Sequence, residues 1–136
     1  MASRLNPYLS FDGDARQAME FYKDVFGGTL TLSTFGEMGS PEAPEADKIM
    51  HGDLETDQGF RLMGADTPPG SEHKPGNNFA VSLSGDSDDL RGFWERLSDG
   101  GTVTVPFEKQ MWGDEFGMCV DRFGVAWMVN LAVLQG

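Results

Sequence analysis

Residues 14–33, DARQAMEFYKDVFGGTLTLS, decide the fold because they join an amphipathic helix, a glycine stop and the start of a strand. Six apolar residues share one face of this helix: Ala15, Ala18, Met19, Tyr22, Val25 and Phe26. Asp14 followed by Gln17 resembles a capping box, with Asp in place of Ser or Thr. Gly27-Gly28 favours a left-handed helix end. The segment therefore predicts a helix over residues 14–26 that leads directly into a β-strand.

The same pattern returns about 72 residues later, in residues 86–105, DSDDLRGFWERLSDGGTVTV. Its helix begins with acidic residues, where the helix dipole favours them, and ends at Gly100-Gly101. The apolar stripe consists of Leu90, Phe93, Trp94 and Leu97. A short strand precedes each helix, and two more strands follow each β-branched stretch: residues 8–11, 48–55 and 59–64, then 80–83, 115–120 and 125–132. Each half thus predicts the order β-α-β-β-β, and the chain an α+β fold of two modules.

The repeat also predicts the domain organisation. Module one covers about residues 1–67, a Pro/Gly-rich connector about 68–77, and module two about 78–136. Neither half is long enough to bury a full core by itself, so we expect a single domain over residues 1–136.

Composition excludes several classes of partner. The 136 residues carry a formal net charge of -12, which disfavours nucleic acid and anionic membranes. No apolar run approaches the roughly 20 residues of a membrane span, and the N-terminal residues lack a signal-peptide core. Cys119 is the one cysteine, which is typical of a reducing compartment. We therefore expect a cytoplasmic protein.

Four segments resemble the vicinal oxygen chelate superfamily (the glyoxalase/bleomycin resistance/dioxygenase group), and within it the PhnB-like branch. They are PYLSFDG (7–13), AMEFYKDVFGG (18–28), MWGDEFG (111–117) and DRFGVAW (121–127). The resemblance implies that each module curls its sheet into a half-open cup, that the two cups form a ligand cavity, and that the protein is a homodimer.

Enzymes that belong to this superfamily hold a divalent metal with His or Glu from the first and last strands of each module. By the resemblance, those positions fall on Pro7, Met63, Phe79 and Met128, and a slip of one residue places neither His nor a carboxylate there. Imidazole and carboxylate donors are what such a site needs. We therefore expect no metal at these positions, and no cofactor.

Two other groups of residues have both a functional and a plain interpretation. His51 and Glu55 share one face of a predicted strand, either as acid/base or metal-binding groups or as a solvated surface. Trp112 and Asp114 lie on a predicted loop, where they either close a cavity and orient a ligand or form a turn packed on the core.

The leading hypothesis is metal-free binding of a small, partly apolar molecule in the cavity of the two modules. The predicted ligand-binding residues are Leu9, Phe11, Met63, Phe79, Val81, Trp112, Asp114 and Met128. One alternative is a metal-dependent lyase, isomerase or dioxygenase that uses His51 and Glu55. Another is an interaction or regulatory module that works through its surface.

Overall fold

The computed structural model describes residues 3–39 and 41–133. Its elements, in chain order, are β1 (Tyr8–Phe11), α1 (Ala15–Phe26), β2 (Thr29–Thr34), β3 (Ile49–Glu55), β4 (Arg61–Asp66), β5 (Val81–Gly85), α2 (Asp89–Ser98), β6 (Thr102–Lys109), β7 (Glu115–Val120) and β8 (Ala126–Leu131). This order is two successive βαβββ modules, so the predicted α+β class is confirmed.

The chain divides into two compact units, Met1–Pro75 and Gly76–Gly136. The division falls inside the connector predicted from the sequence. That the whole chain acts as one domain stays a prediction.

Both units build the same sheet. The strand order is β1-β4-β3-β2 in the first unit and β5-β8-β7-β6 in the second. In each unit the first strand runs parallel to the last, and the remaining pairs are antiparallel. The helix that follows the first strand makes this parallel connection possible, because parallel neighbours need a long crossover.

The two apolar stripes are buried as the helical periodicity predicts. All six stripe residues of α1 and all four of α2 lie in the core. Each helix covers one side of its sheet, which we call the helix face. The space above Gly64 on this face is filled by Met19 and Phe11, and the space above Gly117 by Trp94 and Phe107. The opposite side of each sheet is called the open face, since the unit's own helix does not cover it.

The predicted capping box of α1 is wrong. Asp14 is the N-cap residue, but its side chain makes no capping hydrogen bond. Instead, the buried carboxylate of Asp66 accepts hydrogen bonds from the backbone N–H groups of Gly13 (2.8 Å) and Ala15 (3.0 Å). A carboxylate from the end of β4 therefore satisfies the start of the helix, as the positive end of the helix dipole favours.

Candidate ligand-binding site

The open face of the second unit combines an apolar floor with a polar end. Cross-strand pairing arranges its side chains in rows across β5, β8, β7 and β6. One row is Ser84, Asn130, Phe116 and Glu108, and the next is Ser82, Met128, Met118 and Val105. The methionines and the valine form the floor, while the first row places an amide and a carboxylate beside a phenyl ring. Thioether side chains of this kind adapt to ligands of irregular shape.

The turn after β6 adds an aromatic ring and a second carboxylate to this polar end. Trp112 Nε1 donates to Asn130 Oδ1 (3.4 Å), and Asn130 Nδ2 donates to Asp114 Oδ2 (3.0 Å). The rings of Trp112 and Phe116 meet edge to face, with centroids 5.8 Å apart. Trp112 is nevertheless 58% exposed. A large ring is thus held in place with most of its surface facing solvent, as a ligand-contacting group would be.

The structure brings three of the eight predicted ligand-binding residues together here. Trp112, Asp114 and Met128 belong to this face. Met63 lies on the corresponding open face of the first unit, where it pairs with Tyr8 and Asp53.

Three predicted residues lie on helix faces instead, which corrects the assignment of all these side chains to common cavity walls. Phe11 is 2% exposed and packs beside Met19. Leu9 pairs with Gly64, and Val81 pairs with the buried Trp127, so both share the helix-face side. Phe79 precedes β5 and is 84% exposed. Strand alternation identifies two faces correctly but does not say which of them the helix covers.

The open face of the first unit is polar. The hydroxyl of Tyr8 and Nδ1 of His51 form a hydrogen bond (3.0 Å), and the two rings stack with centroids 5.7 Å apart. Burial raises the pKa of Tyr8 above its ordinary value. Arg61 donates two hydrogen bonds to Asp53, from Nε at 3.0 Å and Nη2 at 2.6 Å. This pairing lowers the pKa of Asp53.

This geometry disfavours a metal ion shared by His51 and Glu55. The two residues are four positions apart on β3, a separation of about 13 Å at about 3.3 Å per residue. Donor atoms of one ion lie within about 4 Å of each other. Asp53, which lies between them, is already bound by Arg61.

The strand register also shows which residues lie beside the metal positions that the family resemblance implied. On the open faces, Met63 pairs with Tyr8 of the first strand of its unit, and Met128 pairs with Ser82. Two thioethers and two hydroxyls do not fit a divalent metal that needs imidazole or carboxylate donors. Over residues 3–39 and 41–133, no group of three or more His, Cys, Asp or Glu side chains is placed to hold a metal ion.

Sequence reasoning missed the residues that organise each open face. Asn130 links Trp112 to Asp114, and its signal was an amide inside the apolar strand AWMVNL. Tyr8 reaches His51 across β4, a contact between residues 43 positions apart. A local sequence pattern cannot predict a contact between residues so far apart in the chain.

Other features of the structure lie away from these faces. A groove of about 450 Å³ is lined by Glu20, Lys23, Asp24, Leu30 and Leu32, between α1 and β2. No predicted site residue lines it. Cys119 is buried, and burial raises its pKa to about 11, so the thiol is poorly suited to act as a nucleophile at neutral pH.

Comparison with known proteins agrees with this architecture. Residues 4–129 match the family model of the Glyoxalase/Bleomycin resistance protein/Dioxygenase superfamily. The chain belongs to this superfamily. The superfamily resemblance inferred from the four sequence segments is thereby confirmed.

Individual relatives cover almost the whole chain. Protein PA1353 from Pseudomonas aeruginosa has a crystal structure that is similar with a TM-score of 0.84 and 39% identity, over 96% of this chain and 98% of that one. Protein YjdN from Escherichia coli strain K12 is 26% identical over 96% of this chain and 97% of its own length. The PhnB protein from Bacillus cereus shares the superfamily fold with a TM-score of 0.76 at 21% identity, over 96% of this chain and all of that one.

Within residues 3–39 and 41–133, no helix is long and apolar enough to span a membrane.

Proposed function

We propose that this protein binds a small, partly apolar molecule, without a metal ion, on the open face of the second unit. The observation that carries the proposal is the hydrogen-bonded group Trp112, Asn130 and Asp114 at one end of a floor of Met118 and Met128. Such a surface offers apolar contact to the body of a ligand and directional polar groups to one end of it.

Several features of the site support binding rather than catalysis. The polar end contains an amide, an indole and carboxylates, but neither imidazole nor thiol. The buried Cys119 faces α2 with the helix-face residues, away from this surface. Binding and sequestration of a compound needs no reacting group from the protein.

The enzyme alternative has a weaker basis. It depends on His51, whose Nδ1 is bonded to Tyr8, and on Glu55 about 13 Å further along the strand. The surface-module alternative depends on exposed apolar residues such as Met111, which is 98% exposed at the same turn as Trp112.

Tryptophan fluorescence tests the binding site directly. Trp94 and Trp127 are buried, so a ligand-dependent change in emission reports chiefly on Trp112. We expect small aromatic or aliphatic molecules with one polar end to change the emission of the natural protein in a saturable way, and to leave that of Trp112→Phe unchanged. An unchanged emission throughout such a panel, together with no retained molecule in native mass spectrometry, would contradict the proposal.

Native mass spectrometry of protein purified without denaturation also tests the rest of the proposal. We propose a cytoplasmic homodimer, as the family resemblance implies, and expect a dimer mass without bound metal. Stoichiometric zinc, nickel, manganese or iron that survives dialysis and is lost in His51→Ala would favour the enzyme alternative instead.

A further inference from the structure

We infer that the open face of the second unit selects organic cations, so that its ligand carries an ammonium or related group at one end of an apolar body. This inference rests on the proposed function and names the class of molecule that the same site takes. It comes from the charges and rings that the fold collects at the polar end of the face.

Two carboxylates lie at this end. Glu108 pairs with Phe116 across β6 and β7, which places its side chain on the open face, and Asp114 follows from the adjoining turn. Asn130 donates to Oδ2 of Asp114, which orients the carboxylate without neutralising it. An amide donor leaves the negative charge available to a ligand, whereas an arginine would have cancelled it.

The Lys and Arg side chains of the second unit are placed elsewhere, and two of the four, Arg91 and Arg96, belong to α2. Lys109 pairs with Glu115 on the helix face, and Arg91 of α2 forms an ion pair with the same glutamate. Arg122 donates two hydrogen bonds to the backbone carbonyl of Asp99 at the end of α2. Among the described residues that the strand register places on the open face, none is Lys, Arg or His. An anionic ligand would therefore meet carboxylates with no compensating positive charge.

The aromatic rings at the same end strengthen the preference. The ring of Trp112 is 58% exposed, and its centroid lies 5.8 Å from that of Phe116. A cation above an indole face is attracted by the ring quadrupole, most strongly for Trp among the aromatic side chains. The formal net charge of -12 adds long-range attraction for cations at low salt.

A matched series of three ligands tests the inference. Phenethylamine, phenethyl alcohol and 3-phenylpropionate share a phenylethyl body and end in a cation, a neutral group and an anion. We expect titration calorimetry and Trp112 emission at neutral pH and low salt to show the amine binding roughly tenfold more tightly than the alcohol. Binding of the anion should be weaker than that of the alcohol, and the advantage of the amine should shrink at high salt.

Two variants assign the preference to the site. Asp114→Asn should bring the amine to within about threefold of the alcohol while the affinity for the alcohol changes less than about twofold. Glu95→Gln makes the same change in net charge at an exposed position on α2, which covers the opposite side of the sheet, and should keep the full preference. Thermal unfolding of both variants checks that they are folded, and Glu108→Gln supplies a second test if Asp114→Asn is unstable.

The outcomes separate the inference from the proposed function. If the alcohol or the anion binds as tightly as the amine, or if Glu95→Gln and Asp114→Asn behave alike, selection for cations is wrong while binding at this face stands. If none of the three ligands binds although another molecule of the panel does, the inference is likewise wrong. If no molecule of the panel alters Trp112 emission and native mass spectrometry finds none retained, the proposed function fails and the inference fails with it.

Discussion

Asp66 joins three backbone segments of the first unit. The carboxylate is 2% exposed and accepts hydrogen bonds from Gly13 and Ala15 through Oδ1 and from Ile49 through Oδ2 (2.8 Å). Asp121 of the second unit is also buried, but its carboxylate accepts hydrogen bonds from nearby residues: the backbone N–H groups of Phe123 and Val125 in the following turn, and Trp127 Nε1. Buried carboxylates are stable only when their oxygens are satisfied in this way.

Replacement of Asp66 tests this role. In Asp66→Asn, either orientation of the amide turns its NH₂ group towards at least one backbone N–H donor. We expect the free energy of unfolding to fall by about 2–3 kcal/mol, because a charged acceptor is lost and a buried donor is left unpaired. Asp12→Asn, an exposed neighbour with the same change in charge, should differ from the natural protein by less than about 0.5 kcal/mol. Urea unfolding measures both, and equal stability of the two variants would contradict this role.

The Asp53–Arg61 ion pair predicts a dependence of stability on pH. Hydrogen bonds from Arg61 lower the pKa of Asp53 in the folded state. Its stabilisation is therefore complete above the ordinary aspartate pKa, about 3.9, and is lost as pH falls through the lower folded value. The side chains are 32% and 23% exposed for Arg61 and Asp53, so we expect at most about 1 kcal/mol at pH 7.

Urea unfolding of Asp53→Asn from pH 7 to pH 2.5 measures this contribution. The difference from the natural protein should be constant down to about pH 5 and then shrink. Asp47→Asn, which replaces an exposed loop aspartate, is the matched control. Its difference from the natural protein in the free energy of unfolding should not shrink on acidification. A difference for Asp53→Asn that grows on acidification would mean that the pair does not stabilise the fold.

At the scale of the elements, the sequence predicts which segments form helices and strands better than which way they face. Both helical stripes are buried as the 3.6-residue period predicts, and β7 has its predicted bounds. Alternation groups Leu9 with Phe11 correctly, but both lie under α1, whereas Met63 lies on the opposite side. Which face of the sheet the helix covers is decided only when helix and sheet pack together, so strand alternation alone cannot predict it. Trp112, Asp114 and Met128, which the sequence predicted as ligand-binding residues, share one open face, and their binding of a ligand stays a prediction.

Two glycines of the second unit test how closely α2 packs on its sheet. A Cβ atom at Gly117 would lie 2.9 Å from both Trp94 Cη2 and Phe107 Cα, so Gly117→Ala forces backbone or ring to move. We expect it to destabilise the protein by about 1–3 kcal/mol. Gly92→Ala lies inside α2 with Arg96 Nη1 4.0 Å from the added methyl group, and should instead stabilise by up to about 1 kcal/mol. Thermal unfolding compares the two, and opposite signs are the expected result.

At the scale of the whole molecule, the repeat gives one topology and two different open faces. The first unit presents Tyr8, His51, Asp53 and Arg61, while the second presents methionines, Phe116 and the Trp112 group. The helix faces stay apolar in both because each must bury a helix. The open faces are free of that requirement, so their side chains differ, and the proposed ligand site lies on the open face of the second unit.

The distribution of aromatic residues makes the predicted single domain testable. All three tryptophans, Trp94, Trp112 and Trp127, belong to the second unit, so tryptophan emission follows the unfolding of that unit. Asp66 belongs to the first. Because units of this size are marginally stable alone, we expect Asp66→Asn to lower the urea midpoint seen by tryptophan emission as much as the midpoint seen by circular dichroism. A tryptophan midpoint that stays at its natural value while the circular dichroism transition splits would show two independent domains, since only cooperative unfolding carries a defect in the first unit to a signal from the second.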